Sequence, residues 1–216
     1  MPRVEKNGNR KKREQTTKHR RPKMGYYFIV TDADEVVQNY MHGFKKSLPK
    51  ELQEKLIITS VKTTAENLVD EALNLASLYP QFGEIWIVFN GAQIEKFVKI
   101  ICKAREKGVG VGWSNPSIEA WFNAYLGEMP NYQESGACYK DFTTNYQRIT
   151  GQEYNKSDIQ IYEKLNRFGN EQDAIALAER KFVEYRADCE DRPSKMCSCT
   201  TIHLLVKKIK SNIVKE

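Results

Sequence analysis

No stretch of the 216-residue chain approaches the roughly 20 apolar residues that a membrane-spanning helix needs, which excludes an integral helical membrane protein. The N-terminus opens on charged residues without an apolar h-region, so a secretory signal is not expected. Histidine is scarce, with three in all. The five cysteines are odd in number, and in a chain without an export signal that argues against a disulfide framework and for a reducing cytoplasm. Acids are nearly missing from the first 24 residues, which hold ten Lys/Arg against Glu5 and Glu14, a local charge of +8. The remainder sums to −2, so the overall +6 describes a slightly acidic body with a basic arm. Hydrophobic residues make up 40% of the chain, which excludes a wholly disordered protein. The roughly 190 residues beyond the arm suit one domain, or one domain with a small helical addition.

The arm, residues 1–24, has too few apolar residues to bury a core and is expected to be disordered. Two readings stay open for Arg10, Lys11, Lys12, Arg13, Arg20 and Arg21. They form either a solubilising tail or a nucleic-acid arm, since Lys/Arg clusters release counterions when they meet phosphates.

Tyr26–Thr31 is a short aromatic and β-branched run, the composition of a buried strand. Val37, Tyr40, Met41, Phe44 and Leu48 follow at helical spacing and stop at Pro49. The pair repeats as Leu56–Val61 and then Leu68, Ala72, Leu75, Ala76 and Tyr79, closed by Pro80. Glu84–Phe89 is the third strand, and Ile94, Phe97, Val98 and Ile101 line one helical face up to Gly108. Val109–Trp113 is the fourth strand, and Asn115-Pro116 is expected to cap and open a helix through Trp121, Phe122 and Tyr125. Four strand–helix alternations specify an α/β fold with a mostly parallel four-stranded sheet, here residues 25–127. Residues 128–216 read as a helical extension packed on that core, with helical patterns near 155–167, 171–187 and from Ile202 to Ile213.

Ligands of an open parallel sheet bind at the carboxyl ends of its strands. Asp32 and Asp34 follow the first strand, Asn90 the third, and Ser114, Asn115 and Glu119 the fourth. Asp32, Asp34 and Glu119 can converge to hold magnesium or manganese, because hard cations prefer carboxylate oxygens. The alternative is ordinary capping, in which first-turn acids complement the helix dipole. Ser114 and Asn115 likewise read either as a phosphate cradle at a helix N-terminus or as a plain cap. Cys189, Cys197, Cys199 and His203 offer four soft ligands, but their irregular spacing makes zinc unexpected.

These segments carry a resemblance. Arg20-Arg21-Pro22, Phe28-Ile29-Val30-Thr31-Asp32-Ala33-Asp34 with Asn39-Tyr40, and Glu84-Ile85-Trp86-Ile87-Val88-Phe89 come first. Trp113-Ser114-Asn115-Pro116-Ser117-Ile118-Glu119-Ala120-Trp121 and Thr200-Thr201-Ile202-His203 with Leu205-Val206 follow in order. Together they resemble the RloB-like family, proteins with a Toprim-type core found in bacterial phage-defence loci. The resemblance implies a nuclease-like effector acting on RNA or DNA, with Asp32, Asp34 and Glu119 catalytic. Asp32 and Asp34 would ligate the metal, with Asn90 able to add an oxygen. Ser114, Asn115, His203 and the arm would contact nucleic acid. The family usually has Glu-Gly-Glu where Asp32-Ala33-Asp34 stands, and an Asp-x-Asp pair where Asn90-Gly91-Ala92-Gln93 stands. That loss supports an alternative, a catalytically degenerate domain that binds nucleic acid or nucleotide and regulates a partner ATPase. A scaffold role is the third possibility.

Deleting residues 1–24 is expected to weaken nucleic-acid binding sharply and to flatten its dependence on salt. A salt slope unchanged by the deletion, measured by fluorescence anisotropy, would leave the arm as a solubilising tail.

Overall fold

The computed structural model describes residues 26–63, 65–79, 82–91, 94–187 and 192–213. Strand β1 (Tyr26–Thr31) leads into α1 (Glu35–Ser47) and the single turn α2 (Lys50–Gln53). Next come β2 (Leu56–Ser60), α3 (Leu68–Ser77), β3 (Phe82–Asn90), α4 (Ile94–Glu106), β4 (Gly110–Asn115) and α5 (Ile118–Tyr125). The four strands pair in the order β2-β1-β3-β4, all parallel. A fifth strand, β5 (Cys199–Thr200), adds antiparallel to β4, so the sheet is mixed and five-stranded rather than four-stranded. Two residues are too few to leave a periodic signal, and only the register Ser114–Thr200 and Asn115–Cys199 reveals them.

The remaining helices are α6 (Ser135–Thr150), α7 (Ile161–Phe168), α8 (Glu171–Ala187) and α9 (Ile202–Lys210). Helix α6 lies outside the helical patterns named above, because its buried side chains, Cys138, Phe142 and Tyr146, recur only once per turn. The pattern near 155–167 overshoots: residues 151–160 form a loop, and the helix begins at Ile161. Gly108, at φ +70°, ends α4 in the left-handed conformation that favours glycine.

Side chains alternate across the sheet, and each face has its own core. Ile29 and Val88 point to one side, against Tyr40, Met41, Phe44, Trp121, Phe122 and the helices from α6 onward. Phe28, Val30, Ile87 and Phe89 point to the other, against α3, α4 and Trp113. Both faces are covered, which is why strands of this sheet read as continuous apolar runs.

Helix α1 also packs on α7 at Gly43. A Cβ there would lie 2.5 Å from Cβ of Tyr162. Gly43→Ala gains about 1 kcal/mol of helix propensity but must push the two helices apart, which costs about 1–3 kcal/mol. Net destabilisation is expected in urea denaturation. A stabilised variant would mean that α7 shifts freely on α1.

Candidate metal and phosphate site

The crevice lies where the parallel strands end. Asp34 is the N-cap of α1, with Oδ1 accepting from the Val36 amide at 3.3 Å. Capping accounts for that atom alone. Its other oxygen accepts from Nδ2 of Asn90 at 2.5 Å, a bond between the ends of β1 and β3. Asp32 caps no helix. Its carboxylate accepts from the Asp34 amide at 3.3 Å and the Asn90 amide at 3.4 Å. These two carboxylates and Asn90 are thus brought together. The Oδ1 of Asn90 is buried and has no hydrogen-bond partner among the described residues.

Burial, and then the Asp34 charge, push the Asp32 carboxyl up to about 6. The two amide hydrogen bonds oppose that rise without overcoming it.

Glu119, in the first turn of α5, is only 1% exposed. It accepts from the Tyr154 hydroxyl at 3.1 Å and lies 3.6 Å from the Lys156 ammonium. Burial and Glu119 hold the Tyr154 hydroxyl well above its ordinary range, with Asp34 contributing to the same effect. Tyr154 therefore lies within electrostatic reach of both Glu119 and Asp34. Lys156 also stands 5.1 Å over the Tyr139 ring, and Ser157 donates to Glu35 at 2.7 Å. The 151–160 loop thus brings a hydroxyl and a cation to Glu119. Sequence reading missed both residues, since a lone Tyr and Lys in a polar loop carry no spacing signal.

The remaining sequence expectations fare differently. Asn115 ends β4, joined to Pro116 by a cis peptide, and the N-cap of α5 is Ser117. Asn115 Nδ2 faces the carbonyls of Pro193 at 3.0 Å and Met196 at 3.2 Å, and Ser114 Oγ donates to Thr200 Oγ1 at 2.7 Å. Both side chains are buried and use their donors inside the protein, so the expected phosphate cradle is instead a clamp on residues 193–200. His203 is fully buried, beside Phe182, and burial lowers its pKa to about 4. Its ring is enclosed by the protein, with Nε2 3.7 Å from the Glu179 carboxylate. Arg10, Lys11, Lys12, Arg13, Arg20 and Arg21 lie outside the described residues, as does Cys189. Among the described residues no three His, Cys, Asp or Glu side chains group as metal ligands, so a cation in the crevice would draw on two carboxylates and the Asn90 amide.

A family model described as RloB-like protein matches residues 27–209. The chain belongs to the RloB-like family. No curated protein and no solved structure matches it. Among the described residues, no helix of this family member is long and apolar enough to cross a membrane. The matched region ends inside α9, so it takes in the 151–160 loop as well as the sheet.

The raised pKa of Asp32 has a stability consequence. A carboxyl with a folded-state value near 6, against 3.8 ordinarily, costs stability when ionised. That cost is full above pH 6 and disappears as pH falls through the window to about 4. Asp32→Asn is expected to stabilise the chelator-treated protein by about 1–2 kcal/mol at pH 7.5, and by little at pH 4.5. Urea denaturation at the two pH values measures it. A destabilised variant at pH 7.5 would mean that a partner compensates the Asp32 charge.

Proposed function

We propose that this RloB-like protein is a nuclease-like effector of a bacterial anti-phage system, carrying out weakened metal-dependent phosphodiester cleavage on RNA or DNA. One observation carries the reading: Asp32 and Asp34 both bond to Asn90, through its backbone N–H and its Nδ2, while the buried Asn90 Oδ1 has no hydrogen-bond partner among the described residues. Two carboxylates and an amide oxygen form a hard donor set that fits magnesium or manganese, with water and phosphate oxygens completing the shell. Such a cation would activate a water and stabilise charge on the phosphate in flight.

Within this reading each side chain has a distinct task. Asp32 is a competent ligand once ionised, above about pH 6. Tyr154 stays protonated and donates to Glu119, to which this reading gives a part in proton transfer. Lys156, half-exposed, offers the phosphate a cation beside Glu119. The basic arm adds sequence-independent affinity for the backbone. The parallel sheet with acids at its carboxyl edge is compatible with a Toprim-like core, and the defence role rests on the family.

A second reading has an observation of its own. Asn90 brings no charge where a carboxylate would tighten metal binding, and its amide already donates to Asp34. This favours a catalytically degenerate domain that binds nucleic acid or nucleotide and regulates a partner ATPase in the cytoplasm.

Cleavage of labelled single- and double-stranded RNA and DNA separates the two. Weak cleavage is expected, stronger with manganese than magnesium and reduced at least a hundredfold by Asp32→Ala. Asn90→Asp removes the amide donor and adds a charge, so it should tighten manganese binding at least tenfold. Cleavage untouched by Asp32→Ala would place the active site elsewhere. No cleavage under any metal, with nucleic-acid binding retained, would favour the regulatory reading.

A further inference from the structure

The sheet ends at β2, which pairs with β1 on one side and, among the described residues, with no strand on the other. The Tyr27 amide donates to the Lys55 carbonyl at 2.8 Å, and the Val61 amide donates to the Thr31 carbonyl at 3.1 Å. Backbone groups alternate sides along a strand, so residues 55, 57, 59 and 61 face β1. Leu56, Ile58 and Ser60 therefore turn their N–H and C=O groups outward along the free edge. Natural edge strands are commonly blunted by a charge, a proline or a bulge. The sequence Leu-Ile-Ile-Thr-Ser has no charge or proline, and its register on β1 runs unbroken from Leu56 to Ser60. Ile57, Ile58 and Thr59 are half-buried, with Ile58 on one sheet face and Ile57 on the other. The edge is a backbone ladder with apolar side chains above and below it.

Charge decides what fits this ladder. Two exposed residues of opposite sign flank the strand, Glu54 before it and Lys62 after it. At about 3.3 Å per residue they stand roughly 25 Å apart, too far to pair within one chain. A second copy laid antiparallel on the edge has one register that uses every outward residue. It sets Ile58 opposite the partner's Ile58, Leu56 opposite the partner's Ser60, and Ser60 opposite the partner's Leu56. Residues so opposed exchange both of their hydrogen bonds, about six bonds in all. The same register sets Glu54 opposite the partner's Lys62 and Lys62 opposite the partner's Glu54. Backbone pairing and charge, two independent features, thus select one alignment.

We propose that the outer edge of β2 is a homodimer interface, in which two copies pair antiparallel about a two-fold axis at Ile58. One continuous sheet then runs through both protomers, as an isologous contact requires. Ile58 meets its twin on one face, and Ile57 meets the partner's Thr59 on the other. Strands run oppositely across the axis, so the two Asp32–Asp34–Asn90 crevices open at opposite edges of the joined sheet. Dimerisation leaves both crevices open and does not depend on their chemistry. An unrelated extended peptide would fill the ladder without matching both end charges.

Sedimentation equilibrium of the full chain over a wide concentration range tests this. A reversible monomer–dimer equilibrium is expected, weakening as salt screens the end pairs. Lys62→Glu sets like charges together at both ends and should weaken dimerisation at least fivefold, as should Glu54→Lys. Combining the two substitutions should restore it. Both positions are exposed, so the fold is not at stake. By NMR amide exchange, Leu56, Ile58 and Ser60 should become protected as concentration rises, while Ile57 and Thr59, already bonded to β1, should not change. Deleting residues 1–24 should leave the dimer intact. The proposal is overturned by a monomer at every concentration, by a dimer indifferent to the charge reversals, or by a double swap that fails to restore pairing. Loss of the dimer with residues 1–24 would overturn it by moving the contact to the arm. Protection of the three outward amides that does not vary with concentration would also overturn it, by placing a segment of the same chain on the edge.

Discussion

A carboxylate buried at the start of α8 ties the late helices to the early ones. Glu171 accepts from the hydroxyls of Tyr125 at 3.1 Å and Tyr162 at 2.8 Å, and it also pairs with Lys210. With its one proton given to Glu171, Tyr125 receives the hydrogen bond of Tyr40, 2.9 Å away. One oxygen pair thus links α1, α5, α7, α8 and α9. An isolated buried carboxylate would cost several kcal/mol, and these donors, with the Lys210 ammonium, offset it. Tyr40 and Tyr125 are held well above the ordinary tyrosine range, chiefly by burial, so the hydroxyl protons of the network stay in place.

That anchoring is what makes the candidate metal site a composite. Helix α7 is fixed on α1 by the close approach at Gly43, and α5 is fixed by Tyr125. The 151–160 loop runs between α6 and α7, so fixing those helices delivers Tyr154 and Lys156 to Glu119. The strand ends supply Asp32, Asp34 and Asn90, while the loop between α6 and α7 supplies the hydroxyl and the ammonium that contact Glu119 on α5. Asp32 and Asp34 repel each other in a partly buried place.

The two sheet faces divide the chemistry. On one, the aromatic cluster around Tyr40, Trp121 and Phe122 is closed, with rings at 5–7 Å and little room between them. On the other, α8 meets the sheet through Phe182 and Tyr185, leaving a cleft beside Trp113. The Ser114–Asn115 clamp on residues 193–200 holds Met196 on that wall.

The parallel strands, their alternation with helices and the acids at the first strand's end were legible in the sequence, because each rests on local physics: hydrophobic period, punctuation by proline and glycine, and charge beside a helix start. Asp32, Asp34 and Asn90 were read as neighbours because parallel strands put their carboxyl ends on one edge. The rest required the tertiary structure. Ser114, Asn115 and His203 look like ligands in one dimension, yet burial turns them into internal struts. Strand β5 is two residues long and exists only through its partner β4. Tyr154 and Lys156 reach Glu119 across 35 and 37 residues of chain, a closeness that no spacing rule encodes. The sequence determined the sheet and its acidic edge through local pattern; long-range packing alone decided which polar groups face the crevice and which are sealed inside.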